Sequence, residues 1–160
     1  MKIGVVSDTH SHDIPAQLIA DFQDVDMIIH AGDFCSLEDY QVFEKIADTQ
    51  AVFGNMDDAD IRKKLPEVRE LEYEGIKIGV YHGDGARHGI IERILSRFTK
   101  NKPDIIIYGH THNPMNEVID GIHFFNPGSP NDTVAAPYCS YGILEINNGK
   151  FKTQIIKVKN

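Results

Sequence analysis

The chain has 160 residues, the length of a single domain at ~150 residues each. It carries 16 Lys and Arg against 24 Asp and Glu, a formal charge of −8, with 41% hydrophobic residues. That balance excludes a non-specific nucleic-acid binder, which needs a basic surface to neutralise phosphates. It leaves open an enzyme of phosphate esters in which bound cations supply the positive charge. No apolar run approaches the ~18 residues of a membrane span, and Ile3–Val6 behind Lys2 is too short for the apolar core of a secretory leader. Cys35 and Cys139 have neither metal nor redox spacing, so a reduced, cytoplasmic setting is expected. The unusual count is histidine, 8 residues, beside no Trp. Histidine is the commonest metal ligand and the usual acid or base near neutral pH.

The first half of the chain alternates strand and helix. Lys2–Ser7 reads as an apolar strand. Ile14, Leu18, Ile19 and Phe22 have helical spacing, with Asp13 as the expected N-cap and Pro15 just inside. Val25–His30 is the next strand, and Leu37, Tyr40, Phe43 and Ala47 mark a second helix. Ser36 is its expected N-cap, with Asp39 in the capping-box position. Gln50–Phe53 reads as a third strand. Such alternation predicts parallel strands joined by crossover helices.

The second half changes character. Val68–Tyr73 and Ile76–His82 flank the tight pair Glu74-Gly75. A helix is expected over Gly89–Lys100, then a strand over Asp104–Tyr108. Asn116–Ile119 and Ile122–Asn126 flank Asp120-Gly121, and Ser140–Ile146 and Phe151–Val158 flank Asn147-Asn148-Gly149. Xaa-Gly pairs between apolar runs are hairpin signals. The expectation is one domain over 1–160, an α/β fold with two packed mixed sheets.

Polar groups sit just past the strands. Asp8-Thr9-His10 follows the first, Gly32-Asp33 the second and Gly54-Asn55-Met56-Asp57 the third. His82-Gly83-Asp84 follows Ile76–Tyr81, and Gly109-His110-Thr111-His112 follows Asp104–Tyr108. Each places oxygen or imidazole donors at a strand exit, where α/β folds bind ligands. An isolated Asp-x-His or Gly-Asp is usually only a turn. Five such groups at strand ends in one chain are not a chance arrangement.

In this order the motifs resemble the signature of the calcineurin-like metallophosphoesterase superfamily. Ser7-Asp8-Thr9-His10 and Asn126-Pro127-Gly128-Ser129 resemble its small bacterial and archaeal phosphodiesterase branch. The resemblance implies a four-layer α/β/β/α sandwich and two divalent metal ions. Asp8, His10 and His112 would hold one ion, Asn55, His82 and His110 the other, and Asp33 would bridge them. Asp33, Asn55 and His110 would take part in catalysis. His12 and Asn55 are placed towards the substrate phosphate, although His12 also reads as a solvated loop residue. His30 and Asp57 are placed behind the ligands. Carboxylate, amide and imidazole donors without thiolate suit Mn²⁺, with Ni²⁺, Fe²⁺ or Zn²⁺ as alternatives.

The activity so implied is hydrolysis of a small phosphate ester, foremost a phosphodiester, by a metal-bridging hydroxide. No stable nucleic-acid or membrane partner is expected, and small members of the branch suggest a homodimer or larger assembly. One departure matters. Many members have a histidine, thought to protonate the leaving oxygen, where this chain has Met56. The acidic run Asp57-Asp58-Asp60 reads mostly as a solvated loop, Lys63-Lys64 as a helix surface, and His123 as structural or solvated. His88 has the option of reaching the mouth of the site from its helix start.

Three rival readings compete. The opening Asp8-Thr9-His10-Ser11-His12 also resembles polymerase-and-histidinol-phosphatase hydrolases, but these need a longer barrel. A haloacid-dehalogenase phosphatase requires Asp where His10 stands. The third is a non-catalytic protein-interaction scaffold on the same fold, as in the retromer subunit.

Overall fold

The computed structural model describes residues 1–159. The strands are β1 (Lys2–Val6), β2 (Met27–His30), β3 (Thr49–Ala51), β4 (Val68–Tyr73), β5 (Ile76–Tyr81), β6 (Ile105–Ile107), β7 (Met115–Ile119), β8 (Ile122–Asn126), β9 (Ser140–Asn147) and β10 (Lys150–Lys157). The helices are α1 (Ala16–Phe22), α2 (Leu37–Glu44), α3 (Ala59–Lys64) and α4 (Ile90–Leu95). The strands form two five-stranded mixed sheets, in the orders β10-β9-β1-β2-β3 and β4-β5-β6-β8-β7.

Side-chain alternation builds the layers. Successive strand residues point to opposite faces, so each strand serves two cores. Ile3 and Val5 of β1 face the second sheet, where they meet Ile78, Ile105, Ile107 and Phe125. Val6 and Ile28 face outward and pack with Leu18, Phe22 and Phe43 of α1 and α2. On the far side Ile106 and Phe124 pack with Ile90, Ile94 and Phe98. The result is helix, sheet, sheet, helix. Strands buried on both faces read as continuous apolar runs rather than alternating ones, as Ile105–Ile107 does.

Parallel pairing decides where the chemistry falls. β1 pairs parallel with β2, and β2 with β3. In the other sheet β5 pairs parallel with β6, and β6 with β8. The C-terminal ends of both parallel sets come together at one edge of the sandwich. The antiparallel hairpins close with Glu74-Gly75, Asp120-Gly121 and Asn148-Gly149, all with both residues at positive φ, as a type I′ turn requires.

Several expectations are corrected. Asp13 does not cap α1: the N-cap is Pro15, extended at φ −55° and ψ 134°, with no side-chain cap hydrogen bond. Proline's fixed φ suits this position as well as the first helical turn, so the helix starts two residues later than the pattern suggests. The helix expected over Gly89–Lys100 is only α4, Ile90–Leu95: Gly89, left-handed at φ 73°, is its N-cap and Ser96 its C-cap. Asp58 and Asp60 of the acidic run are exposed as expected, but the run is not simply a loop. Asp57 is buried, and Asp58 caps α3 by accepting from the Asp60 and Ile61 N–H groups. The capping box of Ser36 and Asp39 on α2 is present as expected. Among the described residues no helix is long and apolar enough to cross a membrane.

Candidate metal centre

Backbone conformation singles out the site before any side chain does. Among the described residues ten non-glycine residues have positive φ. Glu74, Asp120 and Asn148 belong to the hairpin turns. The others are Asp8, His10, Ser11, Asp33, Cys35, His110 and His112, all at the same sandwich edge. Such conformations cost about 1–3 kcal/mol each and persist where the surroundings enforce them, typically at functional sites.

Two glycines are required by close packing. A Cβ at Gly54 would lie 2.1 Å from Asp33 Oδ1, and one at Gly109 would lie 1.9 Å from Ser7 Oγ and 2.6 Å from Asp8 Oδ2. Glycine therefore precedes Asn55 and His110 because the β3 and β6 exits press against the β1 and β2 exits.

The seven donor residues named from the sequence converge. His112 Nε2 lies 3.3 Å from Asp8 Oδ1 and 3.1 Å from His10 Nε2. Asp8, His10 and His112 thus form one cluster. Asn55 Oδ1 lies 3.1 Å from His82 Nε2 and 3.0 Å from His110 Nδ1. Asp33 Oδ2 stands between the clusters, 3.7 Å from His10 Nε2 and 3.2 Å from His82 Nε2. Asp8 and Asp33 also share a second grouping with His82.

The ring nitrogens turned away from the centre are held by the protein. His82 Nδ1 donates to the Ala31 carbonyl at 2.7 Å and His110 Nε2 to the Gly85 carbonyl at 2.8 Å. His112 Nδ1 meets the Asp132 carboxylate, and His10 Nδ1 lies 3.8 Å from Cys35 Sγ. Metal-ligating histidines characteristically fix their tautomer through such a bond on the far nitrogen. The lone pairs of the near nitrogens then point inward.

Charge supports a cation here. Burial opposes ionisation of Asp33, but His82 and the Met56 N–H outweigh it and hold the carboxyl below its ordinary value. His82 is pulled down by burial, yet Asp8 and Asp33 raise its imidazole to about 8. Asp8, together with Asp132, raises His112 to about 9. Two buried carboxylates thus draw protons onto imidazoles, and a divalent cation could satisfy the same carboxylates with the imidazoles neutral. Donor types and inward lone pairs fit such an ion.

Behind this layer, Asp57 accepts from the N–H groups of Gly54, Cys35 and Asp33 at 2.7, 2.8 and 2.9 Å. It thereby knits the β2 and β3 exits together, and burial raises its carboxyl above the ordinary value. His30 accepts from Gly32 N–H at 3.1 Å, contacts Thr9 Oγ1 at 3.2 Å and stacks on Phe34. Burial, with His82 nearby, keeps His30 neutral by pushing its pKa well below normal.

His12 is exposed and lines a cleft beside His10 and His112. His88 is exposed and lies outside that cleft. His123 contacts Asn116 and Thr153 between the sheets, away from the centre. Met56 presents its N–H to Asp33 Oδ1 at 2.8 Å, while its side chain is 56% exposed.

Sequence reasoning missed Asp132. It lies on the loop after β8, which is fastened to the β1 exit by Ser129 Oγ on the Asp8 carbonyl and Asn131 Nδ2 on the Thr9 carbonyl. Asp132 Oδ1 accepts from the Val134 and Ala135 N–H groups, which leaves Oδ2 for His112. Asn126-Pro127-Gly128-Ser129 marked the loop, but nothing in the sequence marked this aspartate.

Two sheets delivering parallel strands to one edge, with an oxygen and imidazole donor set there, define a protein of the metallophosphoesterase fold. The chain belongs to the calcineurin-like phosphoesterase superfamily, whose domain profile matches residues 1–149. It is 33% identical to a probable metallophosphoesterase of Methanothermobacter thermautotrophicus over 98% of this chain and 92% of that one. It is also 33% identical to a phosphodiesterase of Methanocaldococcus jannaschii, over 80% of this chain and 83% of that one. Among solved structures it resembles wild-type Vps29 of Entamoeba histolytica complexed with Zn²⁺, at 25% identity and a TM-score of 0.78, covering 98% and 99% of the two chains.

Proposed function

We propose that this protein is a di-metal phosphodiesterase forming one domain over residues 1–160. The observation that carries the reading is the position of Asp33 Oδ2, within 3.7 Å of His10 and 3.2 Å of His82. One carboxylate oxygen faces both donor clusters, as a bridge between two cations would. Asp8, His10 and His112 would hold one ion, Asn55, His82 and His110 the other, with Mn²⁺ the first choice and Ni²⁺, Fe²⁺ or Zn²⁺ as alternatives. Bound there, two divalent ions supply Lewis acidity to phosphoryl oxygens and lower the pKa of water.

The chain's own residues set the rest. Ala31, Gly85 and Asp132 keep the imidazoles of His82, His110 and His112 oriented. The exposed Asn55 amide and His12 ring are available to substrate oxygens. Hydrolysis forms one P–O bond to an attacking hydroxide and breaks the bond to the ester oxygen, which departs with its electron pair. Met56 has no proton to give that oxygen. General acid help is worth ~10²–10⁴-fold, so its absence favours leaving groups of low pKa, and water protonates the rest. Family membership and the phosphodiesterase relative support this assignment.

The deciding experiment is hydrolysis of bis(4-nitrophenyl) phosphate. Activity should vanish on chelation and return with Mn²⁺ or Ni²⁺, with two ions per chain by metal analysis. Equal activity before and after chelation, with no metal bound, overturns the reading.

The likeness to Vps29 favours a second reading, a protein-interaction scaffold. Metal-loaded protein inert towards all phosphodiesters would decide for it. A cytoplasmic location and a homodimer or larger assembly belong to the same proposal. A stable species of 18.0 kDa in light scattering would rule out the assembly.

A further inference from the structure

The cleft beside His10 and His112 measures about 710 Å³, within the range that holds a small organic ligand. The recess on the opposite side, next to Asn55 and His82, measures about 150 Å³. A phosphodiester bound at the centre therefore has its largest space for an ester group in this cleft, and the adjoining hollow of about 430 Å³ beside Thr9 and Ser11 shares His12 and Asp13 with it.

The lining of that cleft has a distinctive chemistry. Beyond the two histidine ligands it consists of His12, Asp13, Asn131, Asp132, Thr133 and Val134. Among the described residues no lysine or arginine lines it. Asp132 is engaged with His112. Asp13 is exposed and has no ion-pair partner among the described residues. Thr133 and His12 offer hydrogen-bonding groups, and Val134, 93% exposed, offers an apolar surface at the rim.

Two nearby cations are committed to other groups. Arg62 donates to the carbonyls of Gly54, Asn55 and Asp57 and stacks on Phe53. Arg93 donates to the carbonyls of Asp84, Ala86 and His88. Arg87 is exposed on the loop whose Gly85 carbonyl holds His110, outside the cleft lining. A single phosphate at the centre would meet the metal ions, but a second phosphate carried on the ester group would meet Asp13.

Building on the phosphodiesterase reading, we infer that the cleft selects diesters whose ester group is uncharged and rich in hydroxyls, a sugar or nucleoside, and discriminates against ester groups bearing another phosphate. Coulomb repulsion between a carboxylate and a dianion several ångströms away in water corresponds to a preference on the order of 10-fold at low ionic strength. Added salt should shrink it.

Thymidine 5′-(4-nitrophenyl phosphate) and the same ester carrying a 3′-phosphate make the matched test. The expected result is a kcat/KM about 10-fold higher for the first, narrowing as salt is added. Asp13→Lys should close most of the gap by improving the phosphorylated ester, while Arg87→Ala should leave it unchanged. Equal or faster cleavage of the 3′-phosphorylated ester, or a gap indifferent to Asp13→Lys, overturns the inference. Calorimetric affinities of the two esters for the metal-loaded protein read the same preference without turnover. Hydrolysis of neither ester, with the binding preference intact, would count against the phosphodiesterase reading and not against the cleft's selectivity.

Discussion

The Asp132 carboxylate is in direct hydrogen-bond contact with His112 Nδ1, while the other ring nitrogen, Nε2, lies 3.3 Å from Asp8. Burial works against the Asp132 charge, but His112 and the Val134 and Ala135 N–H groups hold the carboxyl down at about 2. Asp132 therefore fixes which His112 nitrogen faces the metal and how basic it is. Asp132→Asn should weaken Mn²⁺ binding by about 10–100-fold, the usual effect of losing such a partner, with the fold intact by circular dichroism. Isothermal titration measures it, with Glu145→Gln on β9 as the control. No greater loss than the control shows that the contact does not orient the ligand.

Asp33 should be the more severe loss in activity. Its Oδ2 faces both clusters while Oδ1 accepts from the Met56 N–H. Asp33→Asn keeps the shape but removes the charge, so metal content should fall and turnover should drop at least ~10²-fold. This is the scale on which removing a single charge-stabilising group in an active site acts. His12→Ala, in the exposed loop, should cost far less. Matching losses in the two variants would show that the bridge is misassigned.

The metal-free protein should lose stability as pH rises past neutrality. His82 and His112 titrate at about 8 and about 9 in the fold against an ordinary 6.5. A pKa raised by folding stabilises the fold below the unfolded value, and that stability disappears as pH climbs through the folded value. His30 is shifted the other way, so its contribution is lost on acidification. Thermal melts in chelator should fall between about pH 6.5 and 9. Metal-loaded protein should be flat or rising there, because metal binding displaces the protons. A metal-free Tm that climbs across this window contradicts the charge assignment.

Met56 gives a selective test of the missing acid. Its exposed side chain stands next to Asp57 at the edge of the centre. Met56→His should raise hydrolysis of alkyl monoesters more than that of nitrophenyl diesters, whose nitrophenolate departs without a proton. The gain is bounded by ~10²–10⁴-fold, and a partial gain is expected because nothing nearby has been shaped to hold the ring. Rates for both substrates at saturating metal decide it. An unchanged ratio would remove proton donation from the argument and leave the metal centre as it stands.

The pattern of residues by itself determined the alternation of strand and helix, the three Xaa-Gly hairpins and the order of donor groups at the strand exits. These features are local: apolar periodicity, glycine at positive φ and an Asp-x-His act within a few residues. Tertiary structure decided the rest. Asp57 was placed behind the ligands by resemblance alone, because its three N–H partners come from Gly54, Cys35 and Asp33, two of them on another strand exit, and no local pattern marks them. Helix α4 begins only at Ile90 because Gly89 turns left-handed just before it, and glycine's permissive backbone leaves no sequence mark of which sign of φ it will take. Asp132 was invisible because its role depends on a loop after β8 folding back onto the β1 exit, where it meets a histidine 20 residues earlier. The charge of the cleft likewise belongs to no stretch of the chain. It arises because Asp13 and Asp132, 119 positions apart, are carried to one opening while Arg62 and Arg93 spend their donors on backbone carbonyls.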